Sequence, residues 1–512
     1  MSKRRIAALF AALALAGAAR AEEPDPRYWR LDDVVAQFQQ WSVDYPDIFQ
    51  AGSLGLSGQG EAIPLARISD HAQTDEPEPA LLFHAAQHAN ECNGTGAIMD
   101  AMAALLQGYA LNPGMRARVD SLELWFMPIF NVDGHRYVFG GGPSWADWRK
   151  TLRDNNGNDQ VDYPDDGVDT NRNWDWYWDE SDETDPAHLE YKGPFPFSEP
   201  EATALRDFVL TRRPLVVVDY HSPVTIVWDN EVFWPWLSTH GWGYSPDEPV
   251  ARDVASQWAA ATLTHTGQPF GSIFGYDSLP KEQNWIYGET GILTFVMEIS
   301  DHCWWTGATV DTIATRVARG SYALIDRAMN GPGIRGRVTD AVTGNPLVAQ
   351  VEILQYSGAE LGPHLTDAAF GKYERLTKTG SFTVQASCPG YETQTQQVPN
   401  VTGGWRQVDL ALVPTLTAVP DLPSDGLRIV GPNPLRPGQA VLLALGADVT
   451  DADGATVELF DVTGRRRAVL GAALAPGATH RLALPADLAS GVYLLRASAG
   501  GTQAVRRITL LR

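Results

Sequence analysis

A histidine and a glutamate three positions apart, His88 and Glu91, could together bind one metal ion. On a helical turn both side chains project to the same side, and imidazole with carboxylate is a donor pair that suits zinc. The pair follows an apolar stretch at 80–86, and His221 follows a second one at 215–220. Because open α/β sheets place ligands at the carboxyl ends of their strands, we expect two imidazoles and one carboxylate to converge there. That set would leave a fourth coordination position for water.

Three further side chains could act on a substrate held beside such a metal. Glu298 follows an apolar stretch at 292–296, which would place its carboxyl on a partly desolvated wall, as a general base requires. Arg149 and Arg172 carry planar guanidinium groups, whose paired donors match a carboxylate better than the point charge of lysine. Each residue alone has a plainer alternative: a structural carboxylate at a strand end for Glu298 and a solvated charge for either arginine.

An acidic loop between the two arginines resembles an EF-hand loop. Residues at positions 1, 3, 5, 9 and 12 of such a loop supply calcium ligands, and here these positions hold Asp154, Asn156, Asn158, Asp162 and Asp165. Position 6 is Asp159 rather than glycine, and position 12 is aspartate rather than glutamate. A calcium site and an acidic loop without an ion both remain open.

The pattern of apolar and polar residues along the sequence predicts an α/β domain followed by two β domains. Up to about residue 330, short apolar stretches alternate with helical ones, and strands that are apolar on both faces suit a sheet covered by helices. Beyond 331 the predicted strands are short, alternate apolar with polar residues and lie between turn residues, as in small β-sandwich domains. The expected division is a signal peptide at 1–21, an α/β domain at 22–330, a β-sandwich at 331–413, a proline-rich linker at 414–428 and a second β-sandwich at 429–512.

The amino terminus is typical of a secretory signal peptide. Lys3, Arg4 and Arg5 precede an apolar run at 6–16, and small residues at 19–21 suit cleavage. We therefore expect a secreted protein, located in the medium, in the periplasm or at the cell surface. No later apolar run is long enough to cross a bilayer.

The charge and the cysteines limit the partners and the covalent structure. A net charge of −23 disfavours nucleic acid and anionic membrane surfaces as partners. Three cysteines allow at most one internal disulfide. A Cys92–Cys303 pair and three small buried thiols are the two alternatives.

Several motifs in one order resemble the zinc carboxypeptidase family over residues 28–330, about 60% of the chain. They are His88-x-x-Glu91, Asn-Val-Asp-Gly at 131–134, Trp-Arg-Lys-Thr at 148–151, Asp-Thr-Asn-Arg-Asn at 169–173, Gly-Pro-Phe-Pro-Phe-Ser-Glu-Pro-Glu at 193–201, His221 and Phe-Val-Met-Glu at 295–298. The resemblance implies a mixed, mostly parallel sheet flanked by helices. It also implies one zinc ion per chain, held by His88, Glu91 and His221, and peptides or proteins as substrates.

The resemblance also implies roles for the other residues. Glu298 would be the general base for a metal-activated water, and Arg149 would polarise the scissile carbonyl. Asn171 and Arg172 would hold the free C-terminus of the substrate. Tyr276 would be a mobile residue that covers bound substrate. The side-chain pocket residue would be Gln283, which supports no preference for basic side chains.

The β domains resemble accessory units of related exported proteins, and three functions remain possible. Residues 331–413 resemble the transthyretin-like sandwich of regulatory carboxypeptidases, and 429–512 resemble a C-terminal sandwich of bacterial exported proteins. The first function is removal of C-terminal residues by a secreted zinc carboxypeptidase. The second is cleavage of cell-wall or other unusual peptides by an endopeptidase or amidase of the same fold. The third is an inactive secreted binding protein, for which a lost ligand or base would be expected.

Overall fold

The structure is a computed structural model. It describes residues 23–141, 144–222, 230–241 and 243–415, and, further along, 427–430, 440–445, 454–462, 464–475, 479–485, 488–499 and 502–510. The expected signal peptide and most of the expected linker lie outside these residues. The chain divides into two compact units. One contains the chain up to Val338 together with Pro346–Ala386 and Thr395–Leu410, and the other contains Thr339–Asn345, Ser387–Gln394 and Ala411–Arg512.

Helices and one large sheet form most of the first unit. The helices of the described chain are α1 (Leu31–Asp44), α2 (Asn93–Gly108), α3 (Pro113–Val119), α4 (Val132–Phe139), α5 (Pro200–Arg212), α6 (Glu248–Ala261), α7 (Glu282–Thr290) and α8 (Ala308–Asn330). The strands of the large sheet are β1 (Phe49–Leu56), β2 (Ala62–Ile68), β3 (Ala80–Ala85), β4 (Glu123–Met127), β5 (Val216–His221), β6 (Glu231–Leu237), β7 (Gly271–Tyr276) and β8 (Leu293–Glu298). Among these residues, no helix is both long enough and apolar enough to cross a membrane.

The large sheet has eight strands in the order β1-β2-β4-β3-β5-β8-β6-β7. The pairs β4/β3, β3/β5, β5/β8 and β6/β7 are parallel, whereas β1/β2, β2/β4 and β8/β6 are antiparallel. Every residue of β3 and β5 is buried, as expected for parallel strands covered on both faces. The predicted mixed, mostly parallel sheet flanked by helices is confirmed.

The register of the central strands brings the candidate site residues to one edge. Ala85 of β3 pairs with Tyr220 of β5, and His221 of β5 pairs with Glu298 of β8. Parallel strands end at the same edge of a sheet, so the loop after β3 lies beside His221 and Glu298.

A close contact fixes the start of α2 against these strands. A Cβ atom added at Gly94 would lie 2.6 Å from the Cβ of Tyr220 and 2.8 Å from the Cβ of Ala85. Real side chains do not approach so closely, so the helix can reach the sheet only with glycine here. The segment with His88 and Glu91 is thereby held between β3 and the first turn of α2.

Shorter sheets follow the large one, as the sequence predicts. Their strands are β9 (Gly333–Asp340), β10 (Gln350–Ile353), β11 (Lys372–Leu376), β12 (Gly380–Ser387), β13 (Gln394–Val401), β14 (Trp405–Gln407), β15 (Leu410–Leu412), β16 (Leu427–Val430), β17 (Ala440–Leu445), β18 (Ala455–Asp461), β19 (Arg466–Leu474), β20 (Thr479–Ala483), β21 (Gly491–Ala499) and β22 (Thr502–Leu510). The sheet orders are β10-β12-β13, β11-β9-β14 with β15 on β9, β16-β17-β20 and β19-β18-β21-β22. The predicted boundaries at 330, 413 and 428 stay predictions.

Candidate active site

His88, Glu91 and His221 form a buried cluster at the edge of the sheet. Their ligand atoms all lie within 4.8 Å of one another. His221 Nδ1 is 3.0 Å from His88 Nδ1 and 2.9 Å from Glu91 Oε2, and His88 Nδ1 is 2.9 Å from Glu91 Oε1. The backbone N–H of Ser222 donates to Glu91 Oε2 at 2.9 Å, which fixes the carboxylate. The three side chains predicted to bind a metal thus lie together.

A carboxylate stands behind each histidine of this cluster. His88 Nε2 lies 3.2 Å from Asp169 Oδ1, and His221 Nε2 lies 2.5 Å from Asp219 Oδ2. Burial alone would lower the pKa of His221, but Asp219 and Glu91 raise it well above its usual value. Burial alone would raise the pKa of Asp169, but Arg149 and His88 hold it well below its usual range.

These carboxylates make the cluster fit a cation. An Nε2–H that donates to a carboxylate leaves a lone pair on Nδ1. With this tautomer, which is inferred from the hydrogen-bond partners, the Nδ1 atoms of His88 and His221 and the oxygens of Glu91 are acceptors facing one another. Such acceptors repel unless a positive charge lies between them, and the raised pKa of His221 reflects the same attraction for a cation, there a proton. Two imidazoles and one carboxylate are the donors of an open zinc site.

A second row of buried polar side chains supports Asp219. His84 Nδ1 is 3.4 Å from Asp219 Oδ1, and His84 Nε2 is 2.7 Å from Glu282 Oε1. Gln87 Nε2 donates to the other oxygen of Glu282 at 2.7 Å. The His84 ring thus lies between Glu282 at the start of α7, to which it is hydrogen-bonded, and Asp219, with which it makes a charge contact without a hydrogen bond.

Glu298 stands beside the cluster as the last residue of β8. Its Oε2 atom is buried and has no hydrogen-bond partner among the described residues. Burial raises the pKa of Glu298 to about 7; Glu91 adds to the rise, while His221, Lys281 and Arg149 oppose it. A carboxylate with an uncommitted oxygen and a pKa near neutrality suits a general base.

Arg149 is tied to the carboxylates of the cluster. Its Nε donates to Asp169 Oδ2 at 2.9 Å, and its NH1 donates to Glu91 Oε1 at 3.1 Å. These two bonds do not use the NH2 group. Arg149 is thus placed against the cluster with one donor group left for a substrate.

Asn171 and Arg172 lie on a turn that begins at Asp169. Asp169 Oδ1 accepts from the N–H of Asn171 at 2.8 Å, so one residue supports both His88 and this turn. Arg172 is buried, its NH1 donates to the carbonyl of Asn171 at 2.9 Å, and its NH2 forms an ion pair with Glu190. Its Nε is buried and has no partner among the described residues.

Comparison with known proteins agrees with this geometry. The zinc carboxypeptidase family pattern matches residues 34–307, more than half of the chain. The chain belongs to the zinc carboxypeptidase family.

Individual relatives match over parts of their length. A zinc carboxypeptidase from Saccharothrix mutabilis subsp. capreolus is 33% identical over 151 residues, 30% of this chain and 33% of that one. Carboxypeptidase B from Astacus astacus is 26% identical over 54% of this chain and 86% of that one. Carboxypeptidase A from Helicoverpa armigera has a TM-score of 0.48 at 18% identity, covering 59% of this chain and 74% of that one. The chain thus spans a third of the first relative's length.

Tyr276 and Gln283, the residues expected to cover the substrate and to line its side-chain pocket, differ in their exposure. Tyr276 ends β7 with about half of its surface exposed, and its ring packs edge-on against Phe274 at 5.4 Å. Gln283 is buried, and its Nε2 donates to the carbonyls of Phe233 at 3.3 Å and Thr294 at 3.0 Å. The Tyr276 ring is free of the core, as a mobile covering residue must be, whereas the amide nitrogen of Gln283 is committed to backbone.

The acidic loop is ordered by its own side chains. Asp154 accepts from the N–H groups of four residues, 156–159. Asp162 accepts from the amide groups of Asn156 and Asn158. Asp166, rather than Asp165, closes the loop, because its carboxylate accepts from the N–H groups of Asn155 and Asp162. Calcium in this loop stays a prediction.

The cysteines are thiols in the structure. Cys92 Sγ lies 3.4 Å from the carbonyl oxygen of Ala89, and Cys303 Sγ lies 3.6 Å from that of Ser222. The described residues contain no disulfide, but of the three thiols that the second alternative expected to be buried, only Cys92 is, whereas Cys303 and Cys388 are partly exposed.

Proposed function

We propose that the chain is a secreted zinc carboxypeptidase that hydrolyses the C-terminal peptide bond of peptides and proteins. One observation carries the assignment to C-terminal cleavage. Arg172, a buried guanidinium with an unpartnered Nε, lies on the turn that begins at Asp169, which also supports His88. Unpaired buried donors are rare and costly, and a substrate carboxylate would satisfy this one by a charge-assisted hydrogen bond.

His88, Glu91 and His221 would hold the zinc ion. A zinc ion held there supplies Lewis acidity for the scissile carbonyl and for the attacking water. The protein's own contribution is to fix the ligands: Asp169 and Asp219 hold the imidazole rings, and the N–H of Ser222 holds Glu91. Such supporting groups set ring orientation and ligand basicity.

Glu298 would move the proton. Its uncommitted oxygen takes a proton from the attacking water and delivers it to the nitrogen of the departing amino acid. The NH2 group of Arg149 would donate to the carbonyl oxygen as negative charge develops on it. Bonds to Asp169 and Glu91 keep that guanidinium in place before substrate arrives.

Arg172 and Asn171 would receive the free C-terminus. Glu190 now pairs with the NH2 of Arg172, so a substrate carboxylate must share or replace that contact. Tyr276 would cover the bound residue and exclude water. The basic and apolar amino terminus at 1–21 supports secretion, and amino-terminal sequencing of the exported protein tests it.

Timed digestion of mixed peptides, followed by mass spectrometry, tests the proposal. Ladders that shorten by one residue from the C-terminus are expected. Internal fragments would instead indicate an endopeptidase or amidase of the same fold. Unchanged peptides incubated with zinc-loaded protein would indicate a binding protein and would contradict the proposed activity.

A further inference from the structure

Lys281 is anchored to the turn that carries Asn171 and Arg172. The residue directly before it, Pro280, accepts from the N–H of Trp174 at 3.4 Å. The residue directly after it, Glu282, donates its N–H to Asn171 Oδ1 at 3.0 Å. The backbone of Lys281 is therefore fixed on both sides to the segment in which the substrate's C-terminus would be bound.

The ammonium of Lys281 lies among the charges of the active site. Burial lowers the pKa of Lys281 to about 8; Arg172 and Arg149 lower it too, while Glu190 and Glu298 raise it. Among the described residues no carboxylate forms an ion pair with this ammonium, and Glu190 is already paired with Arg172. A partly buried cation without a close anion is less well stabilised than a paired one, so an anionic ligand would be favoured here.

The C-terminal residue of a substrate must lie close to this ammonium. Its carboxylate would be held by Arg172, and its scissile bond would lie at Glu298 and the metal cluster. The hydrogen bond from the N–H of Glu282 to Asn171 Oδ1 fixes Lys281 beside the turn that carries Arg172, and Lys281 interacts electrostatically with both Arg172 and Glu298. Gln283, the residue expected to line the side-chain pocket, has turned its amide nitrogen to the backbone carbonyls of Phe233 and Thr294. Lys281, two residues before Gln283, carries a charge that Gln283 lacks and would contact the side chain of the substrate's last residue in its place.

We propose that Lys281 pairs with the side-chain carboxylate of a C-terminal glutamate or aspartate, which makes this a carboxypeptidase for acidic C-terminal residues. The inference rests on the proposed function and adds its substrate class. An acidic side chain would neutralise Lys281 through a charge-assisted hydrogen bond. A C-terminal lysine or arginine would bring a second cation beside Lys281 and Arg172, and repulsion of this kind excludes wrong substrates.

Peptides that differ only in their last residue test the inference. With C-terminal Glu, Gln, Leu or Lys on one sequence, kcat/KM of the wild-type protein for Glu should exceed that for Gln by about tenfold or more, since the pair adds a hydrogen bond to a charged group. Lys281→Met should bring the Glu-to-Gln ratio close to one, and Lys281→Arg should retain a ratio above one. The half-exposed Lys378 provides a matched control, because Lys378→Met should leave the ratio at its wild-type value.

The outcomes separate the two claims. Release of C-terminal residues without a preference for Glu over Gln overturns the inference and leaves the proposed function standing. The same holds for a preference that persists in Lys281→Met, which would mean that Lys281 only offsets Glu190. If no C-terminal residue is released from any peptide, the proposed function fails and this inference fails with it. The wild-type ratio tests the proposed substrate class even if a variant does not fold, and Lys281→Arg, which keeps the charge, then tests the residue.

Discussion

His221 and Glu298 are register partners on adjacent parallel strands, β5 and β8. Adjacent strands are about 4.8 Å apart, so the sheet itself fixes the separation between a predicted metal ligand and the predicted base. No loop has to order for these two residues to meet. This explains why both could be identified as residues at the ends of apolar stretches.

Glu298→Gln tests the base. The amide keeps the shape of the side chain but cannot accept the proton, so turnover should fall by about 10²–10⁴-fold while zinc content and melting temperature stay near wild type. Steady-state rates together with metal analysis measure this. Residual turnover within about tenfold of wild type would rule out the base role.

Asp219→Asn tests the support of His221. The amide cannot supply the negative charge that Asp219 places 2.5 Å from His221 Nε2, so zinc affinity should fall by about 10–100-fold. Chelator competition measures the affinity. The exposed His71 pairs with Glu76 at 3.1 Å, which makes Glu76→Gln a matched control that should leave zinc affinity unchanged. Equal affinities in Asp219→Asn and the control would contradict the supporting role.

Gly94→Ala tests the close contact of α2 with the sheet. Alanine favours a helix by about 1 kcal/mol over glycine, but its Cβ would meet Tyr220 and Ala85. Overpacking of this kind costs about 1–3 kcal/mol, so the free energy of unfolding should fall rather than rise. Gly403, where an added Cβ meets nothing within 4 Å, serves as the control. Stabilisation by Gly94→Ala would show that the contact relaxes without cost.

The pH dependence of side-chain preference tests the charge on Lys281. Its pKa of about 8 means that the ammonium loses its proton as pH rises through that value, so the Glu-to-Gln ratio in kcat/KM should fall between about pH 7 and pH 10. Both peptides use the same Arg149, Arg172, Glu190 and Glu298, so titration of those groups cancels in the ratio. Lys281→Arg, which stays charged, should show a flat ratio. A wild-type ratio that is constant over this range would contradict the assignment.

Site residues at the ends of apolar strands could be predicted from the sequence. The carboxylates that contact the histidines of the site from distant parts of the chain were missed. Asp169 is 81 residues from His88, and Glu282 is 198 residues from His84, so only the folded chain brings them together. Asp219 had a local signal, since it lies two residues before His221 in a strand and therefore on the same face. Asp169 had one as well, because it opens the motif that contains Asn171.

The strand order of the sheet and the closure of the acidic loop also could not be predicted from the sequence. Alternating apolar stretches indicated an α/β sheet, but the order β1-β2-β4-β3-β5-β8-β6-β7 depends on which strands pair at long range. In the acidic loop, spacing alone pointed to Asp165, whereas Asp166 makes the hydrogen bonds that close it. The side chains of Asp165 and Asp166 point in different directions because of the local backbone conformation, and sequence spacing contains no information about that conformation.

Arg172 tests the central claim most directly, because a binding group for the free C-terminus separates a carboxypeptidase from an endopeptidase with the same zinc site. The measurement is kcat/KM for matched free-acid and C-terminally amidated peptides, in wild type and in Arg172→Ala. Wild type should strongly prefer the free acids. The variant should lose about 2–5 kcal/mol of transition-state binding for them, with little change for the already poor amides. Equal cleavage of both peptides by wild type, or an equal loss for both in the variant, would contradict the carboxypeptidase account.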